Sequence, residues 1–229
     1  MIKIDNENGT VLLVNKPLKW TSFDVVNFVR GIIKVKVGHA GTLDPLASVL
    51  LILCTGKMTK QIDNYQAQEK EYTGIITLGA TTPSFDLETE IDAHFSIDNL
   101  NETIIKAAAA ELTGVLQQMP PAHSAKRIGG ERAYLKARRG EQVEVKPREV
   151  SIRKFEITGL EFLEKSVHVS FLVVCSKGTY IRSLARDLGE KLNNGGHLTQ
   201  LIRTRIGDFQ LKDAVSIEEL RAQFPKSSI

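Results

Sequence analysis

The sequence predicts an α+β fold: a mixed, mainly antiparallel central sheet flanked by helices. Three observations lead there. Segments of strand period and segments of helical period follow one another irregularly, without the strand–helix repeat of a doubly wound sheet. Residues 167–174 alternate Val167, Val169, Phe171 and Val173 with His168, Ser170, Leu172 and Val174, a strand buried mainly on one face. At 229 residues, 42% of them hydrophobic, the chain also carries enough apolar surface for an ample core.

The elements come in this order. Val11-Leu12-Leu13-Val14 reads as a short strand stopped by Pro17. Thr21 stands three residues before Asp24, the spacing of a capping box. Val25, Val26, Val29, Ile32 and Ile33 then recur at helical spacing, predicting a helix over 21–34 packed on a sheet. A strand is expected over 72–78, ended by Gly79. Asp98 is expected to cap a helix over 100–112, with Ile104, Ile105, Ala108 and Leu112 as its buried stripe and Gly114 as its stop. Ile181, Leu184, Ala185, Leu188 and Leu192 mark a third helix, closed by Asn193-Asn194-Gly195-Gly196. Residues 202–206 read as a strand that puts Arg203 and Arg205 on one face, where phosphate contact is expected and solvated edge charge is the alternative. A short helix is expected over 216–223. One domain over 1–229 is the economical count, with a basic, glycine-containing, weakly periodic insertion at about 119–145.

Composition narrows the partners. No apolar run approaches the ~20 residues that cross a bilayer, and the start of the chain has no signal-peptide pattern. Cys54 and Cys175 lie far apart in apolar runs, which reads as buried thiols in a reducing compartment, by default the cytoplasm. The five histidines show no ligand pair, so no metal is expected. The net charge is only +3, but residues 126–154 hold ten basic and four acidic residues, and residues 84–114 hold seven acidic residues and one lysine. A basic stripe beside an acidic segment suits a phosphate-backbone ligand. Arg138-Arg139 and Lys126-Arg127 cluster with glycines and Tyr134 rather than alternating with acids, which favours RNA over an ordinary solvated surface.

Residues 38–45 read Gly-His-Ala-Gly-Thr-Leu-Asp-Pro. Gly38 and Gly41 allow sharp turning and close approach to a ligand. Pro45 drives Asp44 out of helical geometry. One carboxylate, Asp44, and one imidazole, His39, are thus presented on a tight loop before the apolar run Val49-Leu50-Leu51-Ile52-Leu53-Cys54, as a scaffold holds a nucleophile or base. The plainer alternative is a local Asx-type turn.

That loop, running on to Leu46-Ala47, resembles the catalytic-aspartate motif of the TruB family of tRNA pseudouridine synthases. Five further blocks resemble the family in the family's order: Asn15-Lys16-Pro17 with Thr21-Ser22; Lys70-Glu71-Tyr72; Pro120-Pro121 with Ser124-Ala125; Cys175-Ser176-Lys177-Gly178-Thr179-Tyr180-Ile181-Arg182; and the stretch from His197 to Phe209. The resemblance implies the pseudouridine synthase fold with a cleft across a long sheet, and it makes the 119–145 insertion an RNA-contacting thumb. It implies isomerisation of a uridine in the tRNA T-loop: the C1′–N1 bond breaks, the uracil turns, and C5 is attached in its place. This needs no redox agent, metal, cofactor or energy source.

Asp44 is implied as the essential group, attacking C1′ as a retaining glycosidase's nucleophile does or removing a ribose proton; the sequence leaves both routes open. Arg182 is implied as its guanidinium partner, against the plainer reading of a surface arginine pairing with Asp187. Tyr72, Tyr180 and Leu201 are implied to line the uracil pocket, with Tyr72 also a source of the final deprotonation at C5. His39 is implied to fill the space a flipped nucleotide leaves, and Lys16 belongs to the substrate-binding set. The expected partner is the tRNA T-arm, with no membrane and no obligate protein partner, hence a monomer. The twenty residues after Phe209 leave room for one short helix and not for the RNA-binding PUA domain that many members carry. Two other classes compete: an RNA-annealing protein on the same fold, and a glycoside-type hydrolase, which needs a second carboxylic acid.

Overall fold

In the computed structural model, residues 3–5, 7–124, 127–141 and 145–224 are described. Ala125 and Lys126, part of the expected motif and basic cluster, lie outside them. The chain opens with strand β1 (Val11–Lys16), helix α1 (Ser22–Ile33), strands β2 (Val37–His39) and β3 (Ser48–Thr55), and helix α2 (Ile62–Ala67). Strand β4 (Lys70–Leu78) is followed by a small ribbon of β5 (Ala80–Thr81) and β6 (Ala93–His94), helix α3 (Glu102–Glu111) and strand β7 (Gly114–Gln118). A second ribbon, β8 (Arg127–Ile128) and β9 (Glu131–Arg132), leads into helix α4 (Ala133–Arg138). Then come β10 (Arg148–Phe162), β11 (Val167–Cys175), α5 (Ile181–Lys191), β12 (Gly196–Ile206), β13 (Phe209–Gln210) and α6 (Ile217–Gln223). The chain divides into two compact units, residues 1–73 with 201–229 and residues 74–200, and β4 and β12 each run through both.

In the first unit β3 is the organising strand. β1 pairs antiparallel along one edge, from Val11 opposite Cys54 to Lys16 opposite Val49. The other edge is shared: β2 pairs antiparallel with its end, His39 opposite Leu53, and β12 pairs parallel with its start, Arg203 opposite Val49. Both faces of β3 are covered, which is why its sequence is a continuous apolar run rather than an alternation. Leu51 and Leu53 pack with Leu12, Val14, Val25, Val26, Val29, Ile217 and Leu220, between the sheet and helices α1 and α6. Leu50, Ile52 and Cys54 face the opposite way, onto Ala40 and Ile206, with Ile62, Tyr65 and Phe209 against them. Burial there pushes the Cys54 thiol up to about 11, the inert thiol expected of it. Helix α1 starts as its spacing predicts: Thr21 Oγ1 accepts from Asp24 N, and the Asp24 carboxylate accepts from Thr21 N.

In the second unit β11 pairs antiparallel with β10, and β10 with β7. Three expectations are corrected here. Helix α3 is capped by Asn101, whose Oδ1 accepts from Ile104 N at 3.1 Å, because Asp98 is engaged earlier by the Ser96 hydroxyl at 2.6 Å. Ile104 is exposed, and Ala109 takes the buried place beside Ile105 and Ala108. Strand β12 also begins earlier than the 202–206 reading, at Gly196. There α5 and β12 approach so closely that a Cβ on Gly196 would stand 2.5 Å from Ala185 O. The thumb-like insertion contains β8, β9 and α4, and two of its arginines are paired: Arg138 with Glu88 at 2.6 Å, and Arg139 with Glu131 and Glu141 at 2.7 and 2.6 Å. No helix among the described residues is long and apolar enough to cross a membrane.

Candidate active site

The Asp44 loop fills the interval between β2 and β3. Ala40 N still donates to Ile52 O at 2.9 Å, and the chain then leaves the sheet edge at Gly41, whose φ of +97° suits glycine. Three backbone anchors fix the remainder of the loop. Leu43 N donates to Ser22 Oγ at 3.2 Å, Ala47 N to Asp44 O at 3.1 Å, and Lys19 N to Pro45 O at 2.8 Å. The turn is thus closed by the Asp44 carbonyl and by neighbouring elements. Asp44 is half-buried.

Between the β2 pairing at Leu53 and the β12 pairing at Val49, a side chain bonds the Leu50 carbonyl. Arg203, 2% exposed, donates to Leu50 O through Nε at 3.0 Å and Nη2 at 2.8 Å. Its guanidinium also hydrogen-bonds Tyr72, itself 6% exposed on β4. Burial lowers the pKa of Arg203, the Tyr72 hydroxyl partly offsetting that. The phosphate contact expected at Arg203 gives way to an internal one, while Arg205 stays partly exposed beside its acidic neighbours. Arg203 is enclosed by the covered faces of β3, and Arg205 is held by Gly207 O at 2.8 Å, Glu69 at 3.0 Å and Glu71 at 3.6 Å.

Lys16 is fully buried, because the inward alternation of Leu12 and Val14 along β1 carries on to it. Its Nζ donates to Trp20 O at 2.7 Å and Pro17 O at 3.0 Å. Burial lowers its pKa to about 8, with the Asp44 carboxylate raising it and the Arg203 charge lowering it further. Folded Lys16 thus releases its proton near pH 8, while an unfolded chain holds it to about 10.5. The unfolded state binds more protons between those values, so stability rises with pH there. Measured against Lys16→Met by chemical denaturation, the wild-type unfolding free energy is expected to climb from pH 8 towards 10. A flat difference would place the Lys16 proton affinity at its ordinary value.

His39 is kept neutral at pH 7 by burial and, to a lesser degree, by the Arg203 charge, against a backbone hydrogen bond at Gly41 that favours protonation. Lys16, His39, Asp44, Tyr72 and Arg203 are thus tied together in the first unit. Leu201 is buried in the same unit.

The second unit holds Tyr180 and Arg182 where β11 feeds α5. Arg182 is 4% exposed and donates to His123 O at 2.9 Å and Ser84 O at 3.3 Å, with Asp86 Oδ2 3.4 Å from its Nη1. Asp187 pairs with Arg186 instead. Asp86 was not singled out by sequence reasoning. It comes after Phe85, whose φ of +61° is uncommon for a non-glycine residue, in a loop where Thr82 and Ser84 both donate to Asp86 O. The only signal was a carboxylate two residues after a Thr-Thr-Pro-Ser turn segment. Gln118 was missed as well, although its amide bonds both main-chain groups of Tyr180.

Residues 30–181 match the family model for the N-terminal domain of TruB family pseudouridylate synthases, and residues 182–227 match that for the tRNA pseudouridylate synthase B C-terminal domain. The tRNA pseudouridine synthase B of Phocaeicola vulgatus is 50% identical over 219 residues, 93% of this chain and 92% of its own length. That of Thermobifida fusca is 45% identical over 219 residues, 93% of this chain and 75% of its own. Among solved structures, a chain of the archaeal box H/ACA sRNP Nop10–Cbf5 complex aligns with a TM-score of 0.69 at 25% identity. The alignment covers 96% of this chain and 54%, about half, of that one. With the Asp44 loop inside the first model and relatives at half identity along nearly its whole length, the chain belongs to the TruB family of pseudouridylate synthases.

Proposed function

We propose that this isomerase converts a uridine in the T-loop of tRNA to pseudouridine, with Asp44 as the group that acts on the ribose. The carrying observation is the anchored loop that brings the Asp44 carboxylate within the electrostatic reach of a buried, easily deprotonated Lys16. Isomerase chemistry on tRNA is the activity of the family. The T-loop target, the roles of individual residues and a flipped uridine are inferred for this chain.

In the reaction C1′–N1 breaks, the uracil turns, and C5–C1′ forms. C5 then loses its proton while N1 gains one, so no atom is added or lost. Asp44 either bonds to C1′ or takes a ribose proton to open the glycosidic bond. Tyr72 lies against the turning base and serves the deprotonation at C5, its hydroxyl directed by Arg203. Tyr180 and Leu201 are assigned to the uracil from motif resemblance alone, as is His39, neutral, to the space the extruded nucleotide leaves. From motif resemblance alone, Arg182 is assigned to keep the reacting carboxylate ionised. Its site of action is taken to be the cytoplasm and its working form a monomer.

Tritium release from a T-arm hairpin labelled at C5 of the target uridine tests this. Release without free uracil is expected. Free uracil would identify a hydrolase, and tight binding without release would leave an RNA-annealing protein.

A further inference from the structure

Arg148 opens β10 directly opposite Gln118 of β7. Its guanidinium carbon lies 4.4 Å from the centroid of the Tyr180 ring. The side chain is half-buried, and its Nε is buried without an acceptor. No carboxylate or carbonyl among the described residues takes a hydrogen bond from this guanidinium. The neighbouring acid, Glu149, is exposed and by strand alternation points to the other face.

A planar cation held this way is unfinished. The ring face offers only a cation–π contact, whereas the five donors of an arginine fork match a carboxylate or phosphate. The setting is rigid. Buried Gln118 accepts from Tyr180 N at 2.8 Å and donates to Tyr180 O at 3.0 Å, so ring and fork are registered through one strand pair. Gly178, at φ +83°, leaves the guanidinium its room, since a Cβ there would stand 3.1 Å from Nη1.

We infer that Arg148 is a phosphate-binding residue: it takes one backbone phosphate of the RNA strand, beside the nucleotide that Tyr180 faces. This rests on the tRNA reading above. Occupation of the site also fixes the back of the Tyr180 ring, coupling backbone grip to the pocket.

The test is equilibrium binding of the product hairpin, which carries pseudouridine and is not turned over, to wild type, Arg148→Gln and Arg148→Lys across a salt series. For Arg148→Gln the slope of log K against log salt is expected to fall in magnitude by ~0.7–0.9, with roughly 5–10-fold weaker binding at low salt. Arg148→Lys, which keeps the charge, is expected to keep the wild-type slope. An unchanged slope in Arg148→Gln would reduce Arg148 to a prop for Tyr180 and overturn the inference alone. Failure of the wild type to bind the hairpin would overturn the tRNA reading and this inference together.

Discussion

Asp44→Ala is expected to lose tritium release by at least ~10⁴-fold, about 5.5 kcal/mol of transition-state stabilisation, while folding and hairpin binding persist. The separation comes from how the loop is built. The bonds of Leu43 N to Ser22 Oγ, Ala47 N to Asp44 O and Lys19 N to Pro45 O all remain available to the alanine variant, so the loop is expected to keep its course. A thermal unfolding midpoint near that of the wild type, beside lost turnover, is therefore the expected pair of results. A second readout is internal. The Asp44 charge supports the protonated form of Lys16, so removing it should move Lys16 deprotonation to below about 8. Turnover within tenfold of wild type would remove Asp44 from the chemistry and turn attention to another carboxylate.

What the sequence disclosed was local. Asp44 could be found because Gly41 and Pro45 shape its backbone within a few residues. Helix α1 could be placed because Thr21 and Asp24 satisfy one another across a single turn. The fold class comes from irregular succession of periods and holds in the antiparallel pairings of β1 with β3 and of β10 with β11. Strand β10 escaped notice although, at 15 residues, it is the longest strand among the described residues. Register irregularities after Ile152 and Ile157 break its alternation, and most of its side chains are exposed, so no period of two survives in the sequence. Asp86 and Gln118 were illegible for another reason. Each gains its meaning from a partner about 60 or more residues away, Arg182 in one case and Tyr180 in the other. The same blindness turned Arg203 into a phosphate ligand: alternation with Arg205 says which way a side chain points, and not whether that face is covered. Only the register, with β2 last pairing at Leu53 and β12 at Val49, brings the Arg203 guanidinium to the Leu50 carbonyl.

Arg203→Met is the sharpest probe of that contact. The variant keeps comparable bulk but strips Leu50 O of both donors and Tyr72 of its guanidinium partner. Release from the cost of burying a cation opposes this, so the net loss of stability is expected at ~1–3 kcal/mol, the penalty of an unsatisfied buried carbonyl. Turnover should fall further than stability, by roughly 10²-fold, because Tyr72 is no longer directed and the Asp44 loop loses the group that seals its departure from the sheet. Arg203 also bears on Lys16, whose proton it disfavours. In Arg203→Met the rise of stability with pH assigned to Lys16 should therefore begin above pH 8, closer to the ordinary lysine range. Arg203→Lys separates the two effects: it retains a buried charge and so the low Lys16 step, but a single ammonium cannot reproduce the two-pronged bond to Leu50 O. Its stability should fall as in the methionine variant while its pH profile stays that of the wild type. If both variants shift the profile alike, the coupling between Arg203 and Lys16 is one of packing and not of charge.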